Sequence, residues 1–428
     1  MFNLFLLLLL LVFIIASYKK PVLGLAGIIA LLPSYLWRLN IFSLPTTFLE
    51  LMIVSLFVVW LLKEKKYKKI NFSLKNNPQN KIPPRLRWLL LLWLFASLIA
   101  LAVNPSYAAL GLWRAYFLEP IMFFILFVYI VKDKNDLKII IRSLGILLSW
   151  LFVVALYQNF SSWNFISAYN YPNPKRLTAV FSYPNALALL TAPLSVFFLS
   201  LWSKSKDKKD KWWYLLVALF AVALAYLAVS EGALVAIIFS LFIYLILAKK
   251  IRKASIPIFL VFFIALLSFS SLAKYPLSVW QQLSQPSSGL SATSLEIRSW
   301  QWQETGVMLQ DNFVFGSGIN GYQGAMEKYH QIEWIEIYLY PHNIFLNFWV
   351  ELGLFGLLIF LGLMFYVSGA LKNLFDNKHK LAWPLSLAWL TWFVHGLVDV
   401  PYFKNDLSIL FFILLALTLV AQQIKEDR

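Results

Sequence analysis

The chain has 428 residues, of which 61% are hydrophobic and 18% aromatic, and it carries a formal net charge of +17. A soluble fold cannot bury so much apolar surface, and the apolar segments recur at a length near the ~20 residues that a bilayer-spanning helix needs. Lys and Arg stand in short clusters between these segments, which indicates membrane topology and argues against nucleic acid as a partner, and the lack of cysteine excludes disulfides and cysteine-based metal or redox sites.

The apolar segments predict an all-α polytopic membrane fold, with one transmembrane domain over residues 1–428 and about 13 spans (12 to 14). The first segment lacks a basic leader and a small-residue cleavage site, so we interpret it as a retained span and not as a signal peptide. The predicted spans cover residues 2–17, 21–37, 46–62, 88–103, 112–131, 139–157, 180–202, 212–229, 233–248, 256–272, 343–371, 381–398 and 408–424.

The basic residues alternate with these spans. If successive helices cross the membrane in opposite directions, Lys and Arg should accumulate in every second connection, on the cytoplasmic side. By this map 28 of the 37 Lys and Arg lie on one side, which predicts a cytoplasmic location for that side, an odd span count and an outside N-terminus. The clusters are Lys19 and Lys20, the basic loop 63–87, 132–138, 204–211, 249–253, 372–380 and the C-terminus.

The outside face then carries a medium loop at 158–179 and one long extracytoplasmic loop at 273–341, in which we predict short helices. Thr293 and Glu296 have the spacing of a capping box, which predicts a helix that begins near Ser294. Three glycines beyond that helix, at 316, 318 and 321, are typical of turns.

His342 stands where the long loop re-enters the membrane. Imidazole takes up a proton near neutral pH, which suits a general base that activates an attacking hydroxyl. If the chain is helical from this residue onward, Leu346, Trp349, Gly353 and Gly356 lie on the same face, and the glycines permit close approach of a helix or a lipid chain. An interfacial histidine bonded to a backbone carbonyl, with glycines that serve packing only, explains the position equally well.

Two arginines, Arg176 and Arg298, face the same outside compartment. Guanidinium groups bind phosphates through paired hydrogen bonds and stay charged, so the two residues suit a diphosphate. The alternative is a pair of solvated arginines, or arginines that bind lipid headgroups. Trp300 and Trp302, beside Arg298, have the ring area to stack on sugars, although interfacial tryptophans are common.

His395 and Asp399 are four residues apart near the outside end of a predicted helix, so they share a face and could touch. The carboxylate could orient a histidine or hold a substrate hydroxyl, or the pair could serve only to fix the helix end. No metal site is predicted, because His330 and His379 fall in loops on opposite sides and the chain has no HExxH-type cluster.

Besides Arg142, just inside the span 139–157, four charged residues lie within predicted spans: Arg114, Glu119, Glu50 and Glu351. They could pair with one another or line a polar passage, and the second possibility keeps a transporter among the candidate functions. Glu351 points about 180° away from His342 on a helix, so the two are not expected to be partners. The chain has no nucleotide-binding signature, and we predict no cofactor.

Three stretches of sequence together resemble the O-antigen ligase and O-antigen polymerase superfamily. His342-Asn343, followed after nine residues by Gly353-Leu354-Phe355-Gly356, matches that family's signature of His and a small polar residue, then Gly-x-x-Gly. The stretch from Arg176 to Ala186, with Phe181 and Pro184-Asn185, resembles its second motif.

The third stretch lies in the long loop, where Arg298 precedes Trp302 and then Phe315-Gly316-Ser317-Gly318. Asp399, near the end of the penultimate span, also fits. One position departs from the pattern: the family usually has a basic residue between Ser and Gly after the eighth span, whereas this chain reads Ser230-Glu231-Gly232.

The resemblance extends from about residue 90 to residue 424. It implies a GT-C-like, metal-independent, inverting membrane glycosyltransferase of cell-envelope polysaccharide biosynthesis. The expected donor is an undecaprenyl-diphosphate-linked glycan, and the acceptor is a hydroxyl of a glycan, lipid or protein. The expected location is the outer face of the bacterial cytoplasmic membrane.

The resemblance also implies roles for single residues. His342 would be the catalytic base, Arg176 and Arg298 would bind the diphosphate, and Asn343 and Asp399 would support substrate binding. The sequence leaves open whether the chain is a ligase or a polymerase. The alternative from another class is a flippase or transporter of lipid-linked saccharides, although the chain lacks the repeated halves common in such proteins.

Overall fold

A computed structural model describes residues 2–41, 44–66, 81–161, 175–248, 294–332 and 334–424. Several predicted features therefore lie wholly or partly outside the described residues: the span 256–272, the first part of the long loop with Thr293, most of the basic loop 63–87 and most of the loop 158–179.

Within the described residues, helices account for nearly all of the regular structure. They are α1 (Phe2–Lys19), α2 (Pro21–Ala30), α3 (Phe48–Lys66), α4 (Pro84–Val103), α5 (Tyr107–Trp113), α6 (Glu119–Ile130), α7 (Lys134–Phe160), α8 (Pro184–Lys204), α9 (Lys208–Leu227), α10 (Glu231–Leu247), α11 (Ser294–Asp311), α12 (Tyr322–Met326), α13 (Ile344–Asp376), α14 (Ala382–Gly396) and α15 (Asn405–Gln423). A π-helical turn, Arg114–Leu118, joins α5 to α6, and a 3₁₀-helix, Leu32–Leu36, follows α2.

Seven helical segments of the described chain are long and apolar enough to cross a membrane. They are α4, the continuous segment Tyr107–Ile130, α7, α8, α9, α13 and α15, and α1, α2 and α10 are shorter apolar helices. The chain is thus a mostly helical protein of the polytopic membrane type. All the predicted spans except 256–272 coincide with a described helical segment.

The all-α prediction is wrong in one detail. Strand β1 (Arg38–Ile41) pairs antiparallel with β2 (Leu44–Thr47) in a small hairpin. The predicted second span, 21–37, is also interrupted, because α2 ends at Ala30 and is followed by a 3₁₀-helix that contains Pro33. Proline lacks an N–H and disfavours the helical conformation of the residue before it, so an α-helix does not continue through this position.

The predicted cytoplasmic ends of the helices lie together. The Lys138 ammonium is 2.6 Å from the Asp210 carboxylate, which joins the start of α7 to that of α9. The Lys63 ammonium lies 5.1 Å from the centre of the Tyr18 ring, and Lys81 donates to the last carbonyl of the α6 segment. These contacts agree with the alternation that the basic clusters predict.

Two helices, α8 and α15, run through the interior and are buried along almost their whole length. Helix α8 packs against α9, α10 and α14, so its first residues are held in the middle of the bundle at the end opposite to Lys204. Aromatic rings fill the space beside α15, where Trp93 contacts Phe348, Tyr402 and Phe411. This tightly packed interior can hold the side chains of the first residues of α8 in fixed positions.

Candidate functional site

A cavity of about 510 Å³ opens at the end of the bundle opposite to the basic clusters. Its wall is formed by the start of α8, by α11 and by the segment that leads into α13. The residues that line it include Arg176, Tyr183, Asn185, Arg298, Tyr338 and His342. The structure therefore gathers the predicted base and both predicted arginines around one space.

Asp399 connects these residues from the inner side of the site, where it lines a smaller adjoining cavity. Its Oδ1 lies 3.4 Å from His342 Nδ1, and its Oδ2 accepts a hydrogen bond from Asn185 Nδ2 at 3.1 Å. The Oδ1 of Asn185 in turn accepts from Arg176 Nη2 at 2.9 Å. Arg176, Asn185, Asp399 and His342 thus form one continuous chain of polar contacts.

The Asp399 side chain is almost inaccessible, since the residue is only 2% exposed. Burial alone would raise the pKa of this carboxyl, but its hydrogen bond with His342 and the nearby positive charges, Arg298 among them, lower the pKa well below its usual range. The charges and the hydrogen bond around Asp399 thus favour its carboxylate form. It can hold Nδ1–H of His342, which leaves the Nε2 lone pair available to a substrate proton.

The backbone at His342 differs from the helical geometry expected from the sequence. His342 has a φ of +46°, in the left-handed region, and α13 begins only at Ile344. Asn343 caps that helix, because its Oδ1 accepts from the amides of Phe345 and Leu346. Its Nδ2 donates to the Leu397 carbonyl at 3.0 Å, so the structure gives the Asn343 side chain a capping role behind the cavity wall.

Two side chains of α11 hold the segment just before His342. Trp302 Nε1 donates to the Pro341 carbonyl at 2.8 Å, and Gln301 Nε2 donates to the Tyr340 carbonyl at 2.9 Å. Tyr340 also shares a 2.8 Å hydrogen bond with the Tyr183 hydroxyl. Trp302 therefore helps to fix the turn that presents the histidine.

The sequence predicts that His342 and the two glycines share one helical face. The backbone at His342 already contradicts this prediction, and Gly353 contradicts it a second time. Gly353 breaks α13, with a φ of +70° and a ψ of −178°. Across this break the Leu354 amide donates to the Val314 carbonyl at 3.0 Å, and the Ser317 amide donates to the Val350 carbonyl at 2.7 Å. The close approach that the glycine permits is thus that of the loop backbone, because a Cβ at 353 would collide with it.

Arg176 is positioned by backbone and amide contacts. Its Nε donates to the Ala228 carbonyl at 3.2 Å, at the end of the α9 segment. The buried Gln158 side chain accepts from the amides of Thr178 and Ala179 and so fixes the segment that follows Arg176. Arg298, on α11, lies on the other side of the cavity, and its buried Nε has no hydrogen-bond partner among the described residues.

A second cavity of about 200 Å³ adjoins the first and shares Arg176, Asn185 and Arg298 with it. Glu231, at the start of α10, lines this inner cavity, so the departure from the family pattern lies directly beside the arginines. Val229, two residues before Glu231, has a φ of +50°, which is unusual for a β-branched residue and marks a strained turn at the site.

His395 and Asp399 both line the inner cavity, but no hydrogen bond joins their side chains in the described part of the chain. Helix α14 ends at Gly396, so Asp399 is not one helical turn away from His395 on a common face. His395 Nδ1 is buried and has no hydrogen-bond partner among the described residues, whereas Asp399 is bonded to His342 and Asn185.

The remaining charged residues singled out in the sequence lie away from the cavity. Arg114 pairs with Glu50 at 2.9 Å and with Glu119 at 3.7 Å, and it donates to the Pro45 carbonyl, so this cluster ties the hairpin to α3 and the α5–α6 segment. Glu351 accepts from the Asn320 amide at 2.9 Å, in agreement with the expectation that it does not pair with His342.

Asn185 is the residue of the site that sequence reasoning missed. Its position in the Pro184-Asn185 pair was noted as part of a motif, but nothing in the sequence joins it to Asp399, 214 residues later. No group of three or more His, Asp or Glu side chains in the described part of the chain is arranged to hold a metal ion.

Comparison with protein families gives a match of residues 215–361 to the family model described as O-antigen ligase. The matched region is about one third of the chain and contains Glu231, Arg298, His342 and Gly353, whereas Arg176 and Asp399 lie outside it. A comparison with curated proteins finds no match. The match and the motifs around the cavity agree, and the chain is similar to the O-antigen ligase and O-antigen polymerase superfamily.

Proposed function

We propose that the protein is a membrane glycosyltransferase of the O-antigen ligase or polymerase kind. It moves a glycan from an undecaprenyl-diphosphate carrier to an acceptor hydroxyl at the outer face of the bacterial cytoplasmic membrane. The observation that carries the proposal is the continuous contact of Arg176, Asn185, Asp399 and His342 around one cavity, because it joins a base to a phosphate-binding group.

His342 is the general base. With Nδ1–H held by the Asp399 carboxylate, Nε2 takes the proton from the acceptor hydroxyl as its oxygen attacks the anomeric carbon of the donor. The anionic Asp399 then stabilises the imidazolium that forms. The contact of 3.4 Å is long for a hydrogen bond and is expected to shorten when the substrates are bound.

Arg176 and Arg298 hold the diphosphate leaving group. The bond between the anomeric carbon and the diphosphate oxygen breaks while the acceptor attacks from the opposite face, so the anomeric configuration inverts. The electron pair goes to the diphosphate, whose growing charge is stabilised by the two guanidinium groups. Both arginines line both cavities, so the diphosphate would bridge them. In this proposal no metal ion is required.

The position along α8 supports an outer-face site. Asn185 lies in the first turn of this 21-residue helix and Lys204 ends it, in a predicted cytoplasmic cluster. At ~1.5 Å per residue the helix is about 30 Å long, which equals the thickness of the hydrocarbon layer. The cavity and the basic clusters are thus about one membrane thickness apart, which supports the proposal of a donor carried on the outer leaflet.

The direct test is glycan transfer by the purified protein in liposomes. The donor is an undecaprenyl-diphosphate-linked oligosaccharide, supplied with and without candidate acceptors, and the wild type is compared with His342→Ala. We expect transfer by the wild type and none by His342→Ala, while His379→Ala, which makes the same change away from the cavity, stays active. Elongation without an added acceptor identifies a polymerase.

Two results would overturn the proposal. Full activity of His342→Ala would show that His342 is not the general base. Movement of an unaltered lipid-linked glycan between leaflets, with no transfer across a broad panel of donors, would mean that the protein is a transporter. Unchanged donor affinity in both Arg176→Ala and Arg298→Ala would overturn the diphosphate assignment alone.

A further inference from the structure

The connection between α11 and α12 exposes three consecutive apolar side chains. Phe313, Val314 and Phe315 are 49%, 55% and 58% exposed. The sequence places them in the long extracytoplasmic loop, where water would surround them. Adjacent exposed side chains of this size usually mark a contact surface.

The backbone of this connection lies beside membrane-spanning helices and not above them. Val314 is bonded to Leu354 on α13, and the Ile319 amide donates to the Ala100 carbonyl on α4 at 3.3 Å. Helices α4 and α13 pack against each other along their length. The depth of the connection can therefore be measured along either helix.

With Lys372 and Arg87 taken as the inner boundary of the hydrocarbon layer, both helices give a position within that layer. From the basic residue Lys372 to Leu354 on α13 the distance is about 27 Å, at ~1.5 Å per residue. From Arg87 to Ala100 on α4 it is about 20 Å by the same rise. Both are shorter than the ~30 Å of the hydrocarbon layer, so the connection reaches below its outer boundary.

The three side chains also continue the lipid-facing surface of the same two helices. Phe355, Leu358 and Phe365 on α13 and Phe95 and Leu98 on α4 are all exposed apolar residues of membrane spans. Non-helical backbone at this depth requires partners for its polar groups. Here the carbonyls of Phe313 and Val314 accept from Trp349 Nε1 and the Leu354 amide.

We propose that residues 313–315 form a re-entrant membrane anchor, whose side chains insert among the acyl chains of the outer leaflet. The anchor follows directly on α11, the helix that carries Arg298 and fixes the turn before His342 through Trp302. It therefore holds one wall of the cavity at a constant depth relative to a lipid-borne substrate. The inference rests on packing and depth, and its test does not require enzyme activity.

The chain has no native cysteine, so a single spin label can report the surroundings of one residue. Val314→Cys is labelled with a nitroxide and reconstituted in vesicles of phosphatidylethanolamine and phosphatidylglycerol. Collisions with oxygen, which concentrates in the hydrocarbon layer, are then compared with collisions with a neutral nickel chelate, which stays in water. Leu358→Cys is the reference in lipid. Lys328→Cys is the reference in water, at an exposed position of the extracytoplasmic cap, which is the part of the long loop from residue 294 to residue 341.

We expect the label at 314 to match the label at 358, with high accessibility to oxygen and low accessibility to nickel. Nickel accessibility equal to that at 328 would overturn the anchor. Phe315→Cys provides a second reading at the adjacent side chain in case the first variant does not fold. A label at 315 that behaves like the one at 328 would overturn the proposal in the same way.

Discussion

At the scale of single residues, the site depends on a carboxylate that does not itself line the main cavity. Asp399 orients His342 and, through Asn185, the Arg176 guanidinium. It is a positioning residue, because it acts through groups that would touch the substrates. Loss of the Asp399 carboxylate should therefore slow the chemical step more than it weakens acceptor binding.

Asp399→Asn keeps the shape of the side chain but removes its charge. We expect kcat for glycan transfer to fall by about 100-fold while the KM for the acceptor changes little, because the imidazolium loses its counter-charge in the transition state. Kinetics in liposomes measure both constants. Asp311→Asn, on the exposed end of α11, is the matched control and should retain activity within about twofold.

Glu231 places a negative charge beside the proposed diphosphate site. Glu231→Gln should lower the donor KM by about threefold to tenfold, which corresponds to roughly 0.7 to 1.4 kcal/mol of relieved repulsion. Glu327→Gln, an exposed change of the same kind on the cap, should leave the donor KM unaltered. A higher donor KM in Glu231→Gln would mean that the carboxylate assists donor binding.

At the scale of secondary-structure elements, the break in α13 and the cap packed against it determine where His342 stands. Gly353→Ala introduces a Cβ at a positive φ and against the backbone of residues 314 and 315. This conformation is essentially restricted to glycine and alone costs about 1–3 kcal/mol for alanine, and the collision adds to it. We expect a lower thermal unfolding midpoint in detergent and reduced transfer.

The control for that change lies in the same helix. Nothing lies within 4 Å of a Cβ added at Gly369, and alanine is the better helix former there by roughly 1 kcal/mol. Gly369→Ala should therefore leave the unfolding midpoint unchanged or raise it. Equal effects of the two substitutions would show that the break at 353 has no special role.

The cap also contains a histidine whose charge should matter for stability. His330 contacts Glu304 at 3.0 Å and the Ile335 carbonyl at 2.7 Å. Burial alone would lower the pKa of His330, but the hydrogen bonds and the charge of Glu304 outweigh it and raise the pKa. The stabilising contribution is therefore complete below the unfolded-state pKa of about 6.5 and is lost as the pH rises through the higher folded-state pKa.

Hydrogen exchange of the cap peptides tests this sign. After correction for intrinsic rates, we expect less protection of residues 294–341 at pH 9 than at pH 6, and a much smaller difference in His330→Gln. Peptides of α15 in the interior serve as the internal control. The assignment to His330 is wrong if the variant keeps the wild-type pH dependence.

At the scale of the whole molecule, the basic clusters and the cavity lie at opposite ends of a bundle about one membrane thick. Lys209→Cys and Gly324→Cys place single thiols at the two ends of this cysteine-free chain, both at exposed positions. We expect a membrane-impermeant maleimide to label Gly324→Cys in intact cells and Lys209→Cys only after permeabilisation. The opposite pattern would reverse the topology and the proposed outer-face site.

The sequence by itself determined the membrane class, the positions of nearly all the described helices and the side on which the basic residues gather. It could do so because the transfer of an apolar segment into lipid, and the retention of charge on one side, depend on residues that are neighbours in the chain. Its motifs also named His342, Arg176 and Arg298, which the cavity brings together.

Only the tertiary structure decided how these residues are connected. The bond of Asn185 to Asp399, the left-handed backbone at His342 and the break at Gly353 all depend on segments distant in sequence. The pattern after His342 predicts a continuous helix, because helical periodicity contains no information about the loop at 314–318 that packs against it. Contacts between distant segments, and the steric limits that they impose on the backbone, are decided by the packed fold.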